Sequence, residues 1–200
     1  MHHRRFGGCF GTLLTLVVLL GLLGGAIGIP HVGRCIFCGP PQGASTALDT
    51  YSNADRGFAF DHSAQWSATT SNADGVEYST DNGIFAVRAG PAQGTGAALD
   101  AEAAALPSAS FADVRPLNDL SGAEIGYVAG RGRVYAATYL PAQGSGSEVR
   151  IVLVAATQGP TTVLVRAVSL WSGDVKYAPL GVVDGRAFDV ALNTFRWKAS

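Results

Sequence analysis

The sequence predicts an α/β chain of the α+β type: an antiparallel β-sheet flanked by helices, preceded by one N-terminal transmembrane helix. Three observations carry this. An apolar run from Phe10 to Ile29 opens the chain behind Arg4 and Arg5. From Gly57 onward, short β-branched and aromatic segments alternate with turns rich in Gly, Asn and Pro. The closing stretch, DGRAFDVALNTFRWKAS, then changes to a spacing of three and four.

The apolar run is long enough as a helix to span about 30 Å, the thickness of a hydrocarbon core. Arg4 and Arg5 precede it and Arg34 is the next charge, which argues for a cytoplasmic N-terminus and an extracellular remainder. The expected organisation is a cytoplasmic stretch at 1–9, a signal anchor at 10–29, a linker with a CxxC pair at 30–56 and a folded domain at 57–198. Cleavage after the small residues of GGAIG, or a buried soluble helix, are the rival readings. The bilayer is thus the first expected partner, through residues 10–29.

Charge excludes other partners. The 200-residue chain has a formal net charge of -1 with only 14% charged residues, so no basic stripe is available for nucleic acid. The 26 glycines follow no period, which removes collagen-like and solenoid folds. Three cysteines are too few for a disulfide scaffold.

Cys35-Ile36-Phe37-Cys38 has the spacing of a redox dithiol or of half a zinc site. A dithiol of that kind sits at a helix start, yet Cys38 runs into Gly39-Pro40-Pro41-Gln42-Gly43. Zinc needs two more ligands, and only His31 is near in sequence. A local disulfide, or one to a partner, is the expectation for Cys35 and Cys38. Cys9 lies on the other side of the apolar run.

Residues 39–56 are turn-rich and polar, as a tether is. GFAFDHSAQW alternates Phe58 and Phe60 before Trp66, a strand entering a core. Strands follow near 67–72, 76–80 and 84–89, the last two joined through Asp81-Asn82-Gly83, a hairpin signal. TGAALDAEAAALP, 95–107, reads as a helix capped by Thr95 and ended by Pro107, with little apolar bulk beyond Leu99 and Leu106. Strands resume at 111–115, AEIGYVAG, RVYAATYL, EVRIVLVAAT and TTVLVRAVSLW. The last two, turned by Gln158-Gly159-Pro160, should form the centre of the sheet. A short edge strand is expected at Val175 to Tyr177, and a tight solvated turn at AGRGR, Ala129 to Arg133. In the final helix Phe188, Ala191, Leu192 and Phe195 share a face, Asp184 is a possible cap, and Trp197 can complete the packing. Burial of each large member contributes about 1.5–3 kcal/mol.

GFAFDHSAQW and FDVALNTFRW, with its Thr194-Phe195 pair, resemble the opening strand and closing helix of the Mog1/PsbP-like fold family, over about residues 51–197. The resemblance implies an α/β/α sandwich that serves as a binding or accessory module without shared catalysis. No residue here matches that family's nuclear-transport or photosystem contacts, and the apolar lead departs from its lipid-anchored members.

Catalytic signals are thin. His62 follows Asp61 and precedes Ser63, but no nucleophile elbow accompanies them, and a hydrogen-bonded strand-end histidine explains the residue. Asp184 and Asp189 read as capping or solvated groups. No phosphate loop, dinucleotide fingerprint or calcium loop occurs, so no cofactor is expected. Trp66 and Trp197 read as core, whereas Trp171 and Tyr177 are the candidate partner contacts. The expected function is a non-enzymatic, membrane-anchored extracytoplasmic accessory or binding domain with a protein partner in the cell envelope. The alternatives are a thiol-disulfide oxidoreductase using Cys35 and Cys38, or capture of a small apolar ligand between sheet and helix.

Overall fold

The computed structural model describes residues 35–40 and 47–198, so the expected signal anchor, Cys9 and His31 lie outside the described residues. Strand order follows from where side chains can be buried on both faces. β9 (Ser147–Gln158) and β10 (Thr161–Leu170) carry the densest β-branched runs and take the centre of the larger sheet. Its order is β3-β4-β5-β10-β9-β8-β6, where β3 is Ser67–Asn72, β4 Gly75–Ser79, β5 Gly83–Pro91, β6 Phe111–Leu120 and β8 Val128–Tyr139. The pairs that make up this order are antiparallel. A short β7 (Glu124–Ile125) also pairs with β8. A second sheet joins β1 (Leu48–Asn53), β2 (Phe58–Ser63) and β11 (Arg196–Trp197) in the order β1-β2-β11. With two α-helices among the described residues, α1 (Thr95–Ala104) and α2 (Gly185–Asn193), the fold is α+β and mostly antiparallel sheet.

Period-two alternation divides the core into two layers. Val152, Val154, Val163 and Val165 face a layer closed by α2 and the smaller sheet, with Phe60, Phe85, Phe188 and Phe195 buried among them. Ile151, Leu153, Ala155 and Val168 face α1, which contributes Ala98 and Leu99. The aromatic groups of the first layer touch in series. Phe58 and Phe60 each stack on Phe195, and Phe85 stacks on Phe188 at 5.4 Å. Trp66 is buried beside them, and Trp197 donates its Nε1 hydrogen to the Ile125 carbonyl at 2.8 Å.

Several expectations are corrected. Val175–Tyr177 is a 3₁₀ turn rather than an edge strand, because the Asp174 carboxylate accepts the Lys176 amide and the Asp174 carbonyl accepts the Tyr177 amide. AGRGR runs inside β8, with Gly130 and Gly132 in register with Ala156 and Val154. The turn lies earlier, at Gly126-Tyr127, where both residues have positive φ. Within the stretch read as a linker, Leu48–Asn53 pairs along its whole length with β2, because Tyr51 meets Phe58 and Phe60. The Asp184 side chain does not cap α2; it turns to Thr80 Oγ1 at 2.6 Å and to Asn82. Asp189, expected at the surface, is buried.

Candidate functional site

The connection from β10 to α2 gathers the predicted site residues at one end of the sheet. Trp171 follows β10 and forms a β-bridge with Val182, which folds residues 172–181 into a loop beside it. Gly181 has φ +68, and a Cβ there would stand 2.6 Å from Trp171 Nε1, so only glycine lets the indole lie against this backbone. Above the ring, the Arg150 guanidinium carbon lies 4.9 Å from the ring centroid, and Glu148 accepts from Arg150 Nη1 at 2.9 Å. The indole is thus held between a glycine backbone and a cation while remaining 41% exposed.

A cleft of about 260 Å³ opens beside Trp171, lined by Leu117, Val134, Arg150, Val175 and Leu180. Val175 is 86% exposed at its lip and Leu117 is 41% exposed across from it. Of these side chains, Trp171 and Arg150 are of the types enriched at protein contacts. Tyr177 is less exposed and turns the other way. A Cβ on Gly39 would sit 4.0 Å from its ring, which places it against the cysteine loop.

That loop is docked rather than free. Phe37 is fully buried and meets Phe188 edge-on at 5.4 Å. The Asp189 carboxylate accepts the amides of Ile36 at 2.9 Å, Phe37 at 3.1 Å and Cys38 at 2.9 Å. Burial pushes the Asp189 carboxyl above its ordinary value, against the pull of these amides and of Arg186. Gly185 completes the seat, since a Cβ there would come within 2.8 Å of the Cys38 carbonyl oxygen. Cys38 also makes an antiparallel bridge with Pro179, in the same loop that carries Tyr177. The two sulfurs are at disulfide-bonding distance, with Cα atoms 5.0 Å apart. So the structure brings the segment of Cys35 and Cys38 against the loop that carries Tyr177, with Trp171 at the start of that loop.

The chemistry available there is limited. A reactive thiolate draws on helix-terminal amides or a nearby cation. Here the amides of residues 36–38 are taken by Asp189, and the charge behind the loop is negative. His62 is also separated from its sequence neighbour. Its Nδ1 lies 2.9 Å from the Ser63 carbonyl oxygen and its ring stacks near Trp66 and Tyr78, burying it. Asp61 points to the opposite face of β2, where Arg196 donates to it at 2.8 Å and 3.2 Å and Thr50 at 2.8 Å. The Arg196 bond holds the Asp61 carboxyl below its ordinary value. Among the described residues no group of three His, Cys, Asp or Glu side chains is close enough to hold a metal ion.

Sequence reasoning did not find the Asp189 clasp, because its partners are backbone amides 151–153 residues away. It also missed a buried charge cluster on the other face of the sheet. There Arg166 donates from Nη1 to Glu102 of α1 at 2.7 Å and from Nη2 to Glu77 of β4 at 2.6 Å, while its Nε has no partner. The signal available for that cluster was a charged residue placed in the middle of TTVLVRAVSL.

No family model matches the chain, and no curated protein matches it. Two solved structures are similar in chain path. One is a crystal structure from Bacteroides thetaiotaomicron VPI-5482, 11% identical with a TM-score of 0.46, covering 78% of this chain, which spans 50% of that one. The other is the solution structure of cyanobacterial PsbP (CyanoP) from Synechocystis sp. PCC 6803, also 11% identical with a TM-score of 0.46, covering 80% of this chain and 98% of its own.

Proposed function

We propose that the chain is an extracytoplasmic accessory domain of the Mog1/PsbP-like kind, anchored by residues 10–29, that docks a protein of the cell envelope without catalysis. The observation that carries this reading is the Trp171 lip: an indole fixed between Gly181 and Arg150, with Val175 86% exposed beside it. An anchored domain meets its partner at raised local concentration, so a patch of a few side chains suffices. What speaks against the thiol-exchange alternative is the Asp189 carboxylate, which takes the amides that a thiolate at the loop would need.

A photoreactive benzoylphenylalanine at position 175 of the full chain, irradiated in native membranes, should give one discrete adduct that disappears in a Trp171→Ala background. Absence of any adduct, or one indifferent to Trp171, overturns the docking site. Protease protection in the same membranes tests the topology: a C-terminal domain sheltered with the cytosol overturns the extracytoplasmic placement.

A further inference from the structure

Among the described residues, α1 spans less than half the length of the sheet face that carries it. β9 has 12 residues and spans about 40 Å, whereas the 10 residues of α1 rise about 15 Å. The helix begins near the β9–β10 turn, where the Gln93 amide donates to Thr162 Oγ1 at 2.9 Å, and it reaches the middle of the sheet, where Glu102 meets Arg166. Beyond the Arg166 row no helix of the described residues lies on the sheet. A cleft of about 520 Å³ opens there over a floor in which Val149 and Val168 are buried. Its apolar lining includes Ile84, Tyr139, Pro141, Val149, Val168 and Leu170.

Two features limit what fits. The volume lies within the range of small-molecule sites, which runs to about 300–1,000 Å³. The charge facing the cleft is already compensated: among the described residues Glu77 is the sole ionisable acid or base in the lining other than the Tyr139 phenol, and its two oxygens engage Arg166 and Thr69 Oγ1. A charged guest would enter an apolar site without a free counter-charge, at a cost that an uncharged one avoids. At one margin the hydroxyl hydrogens of Thr69 and Thr80 go to Glu77 and Asp184, and the Asn82 amide nitrogen donates to Asp184, so their oxygens are left to accept from a hydroxyl or amide end, while Ser79 can also donate. We infer that this cleft is a binding site for a small, uncharged, largely apolar molecule with one hydrogen-bonding end. It lies on the opposite face of the sheet from the Trp171 cleft, because Val149 and Leu170 alternate with Arg150 and Trp171.

The test is photolabelling of the purified full chain with 3-trifluoromethyl-3-phenyldiazirine, an uncharged arene, with labelled residues located by mass spectrometry. Label should saturate with probe concentration and fall on the 139–149 and 168–170 segments. Its benzoate counterpart should label them at least fivefold less. Ile84→Trp, which fills the floor, should lower the label at least fivefold while leaving that on the apolar run 10–29 unchanged. Leu170→Asp, at a rim position 36% exposed, should do the same without disturbing the interior. Labelling that does not saturate, that the benzoate matches, or that centres on Leu117 and Val175 overturns the site. Label unchanged in both variants, or excluded by a cross-linked second copy or by the chain's own apolar run, overturns it equally.

Discussion

Asp189 and Phe37 are 152 residues apart in sequence and meet in the core, the Asp189 carboxylate accepting the Phe37 amide at 3.1 Å while the neighbouring Phe188 ring meets the Phe37 ring. The relationship makes the cysteine loop part of the fold. Its anchorage comes from one buried ring and three amides, with the sulfur link an addition to these.

Asp189→Ala should therefore destabilise strongly. It leaves three amides without their acceptor, each costing about 1–3 kcal/mol when buried, reduced where water reaches Ile36 and Cys38. A loss of about 2–4 kcal/mol in urea unfolding is expected, together with faster amide exchange at residues 36–38. Unchanged exchange there would show that the clasp is not what holds the loop.

Phe37→Ala should cost about 3–5 kcal/mol, as for other fully buried aromatic residues. The double replacement Cys35→Ser with Cys38→Ser opens a closed loop of only four residues and should cost about 2 kcal/mol or less. Paired denaturation curves check the order. A larger loss from the cysteines than from Phe37 would mean that the sulfur link, and not the buried ring, holds the loop.

The charge cluster under α1 makes an asymmetric case. Glu102→Gln leaves Arg166 its Glu77 pair and an amide oxygen in place of a carboxylate, and should cost about 1.5–3 kcal/mol. Arg166→Met, which removes the buried cation and its unpartnered Nε hydrogen, should be much milder when combined with Glu102→Gln and Glu77→Gln. Thermal unfolding of the single and triple variants decides it: the triple variant is expected to be the more stable.

Two carboxylates should act oppositely with pH. Asp61 has a folded pKa below its ordinary 3.8, so its contribution is present above that value and is lost as pH falls through the folded pKa. Asp189 has a folded pKa above 3.8, so its titration favours the fold below that value, and this contribution is lost as pH rises through the folded pKa. Asp61→Asn should flatten the acid limb of stability below about pH 3.8. Asp189→Asn should flatten the change just above it. Urea midpoints between pH 2.5 and about 6 compare the two slopes.

What the sequence shows of this fold is what lies within reach of a few residues. The Asn82-Gly83 turn, the β9–β10 hairpin and the face of Phe188, Ala191 and Leu192 follow from local chemistry and periodicity, and they occur as read. Glycine in AGRGR reads as a turn because its strand pairing is set by β9, more than 20 residues on. Val175 to Tyr177 reads as a strand from composition, but the Asp174 side chain decides the matter by taking the Lys176 amide. Asp184 and Asp189 were least legible, since a carboxylate before or within a helix has the same sequence whether it faces water or a loop from the far end of the chain. For the candidate site, Trp171 and the cysteine pair were visible as residue types. The bridge from Cys38 to Pro179 that joins their two segments was not.

The margins of the larger sheet have a further consequence. β3 is exposed along its length and broken between Ala68 and Thr70, while β6 carries Pro116 and two register shifts. Such borders offer no straight row of free amides to a foreign strand, which guards against self-templated aggregation. They also mean that recognition by strand addition to this sheet is disfavoured, leaving side-chain surfaces such as the Trp171 lip as the means of engaging another protein.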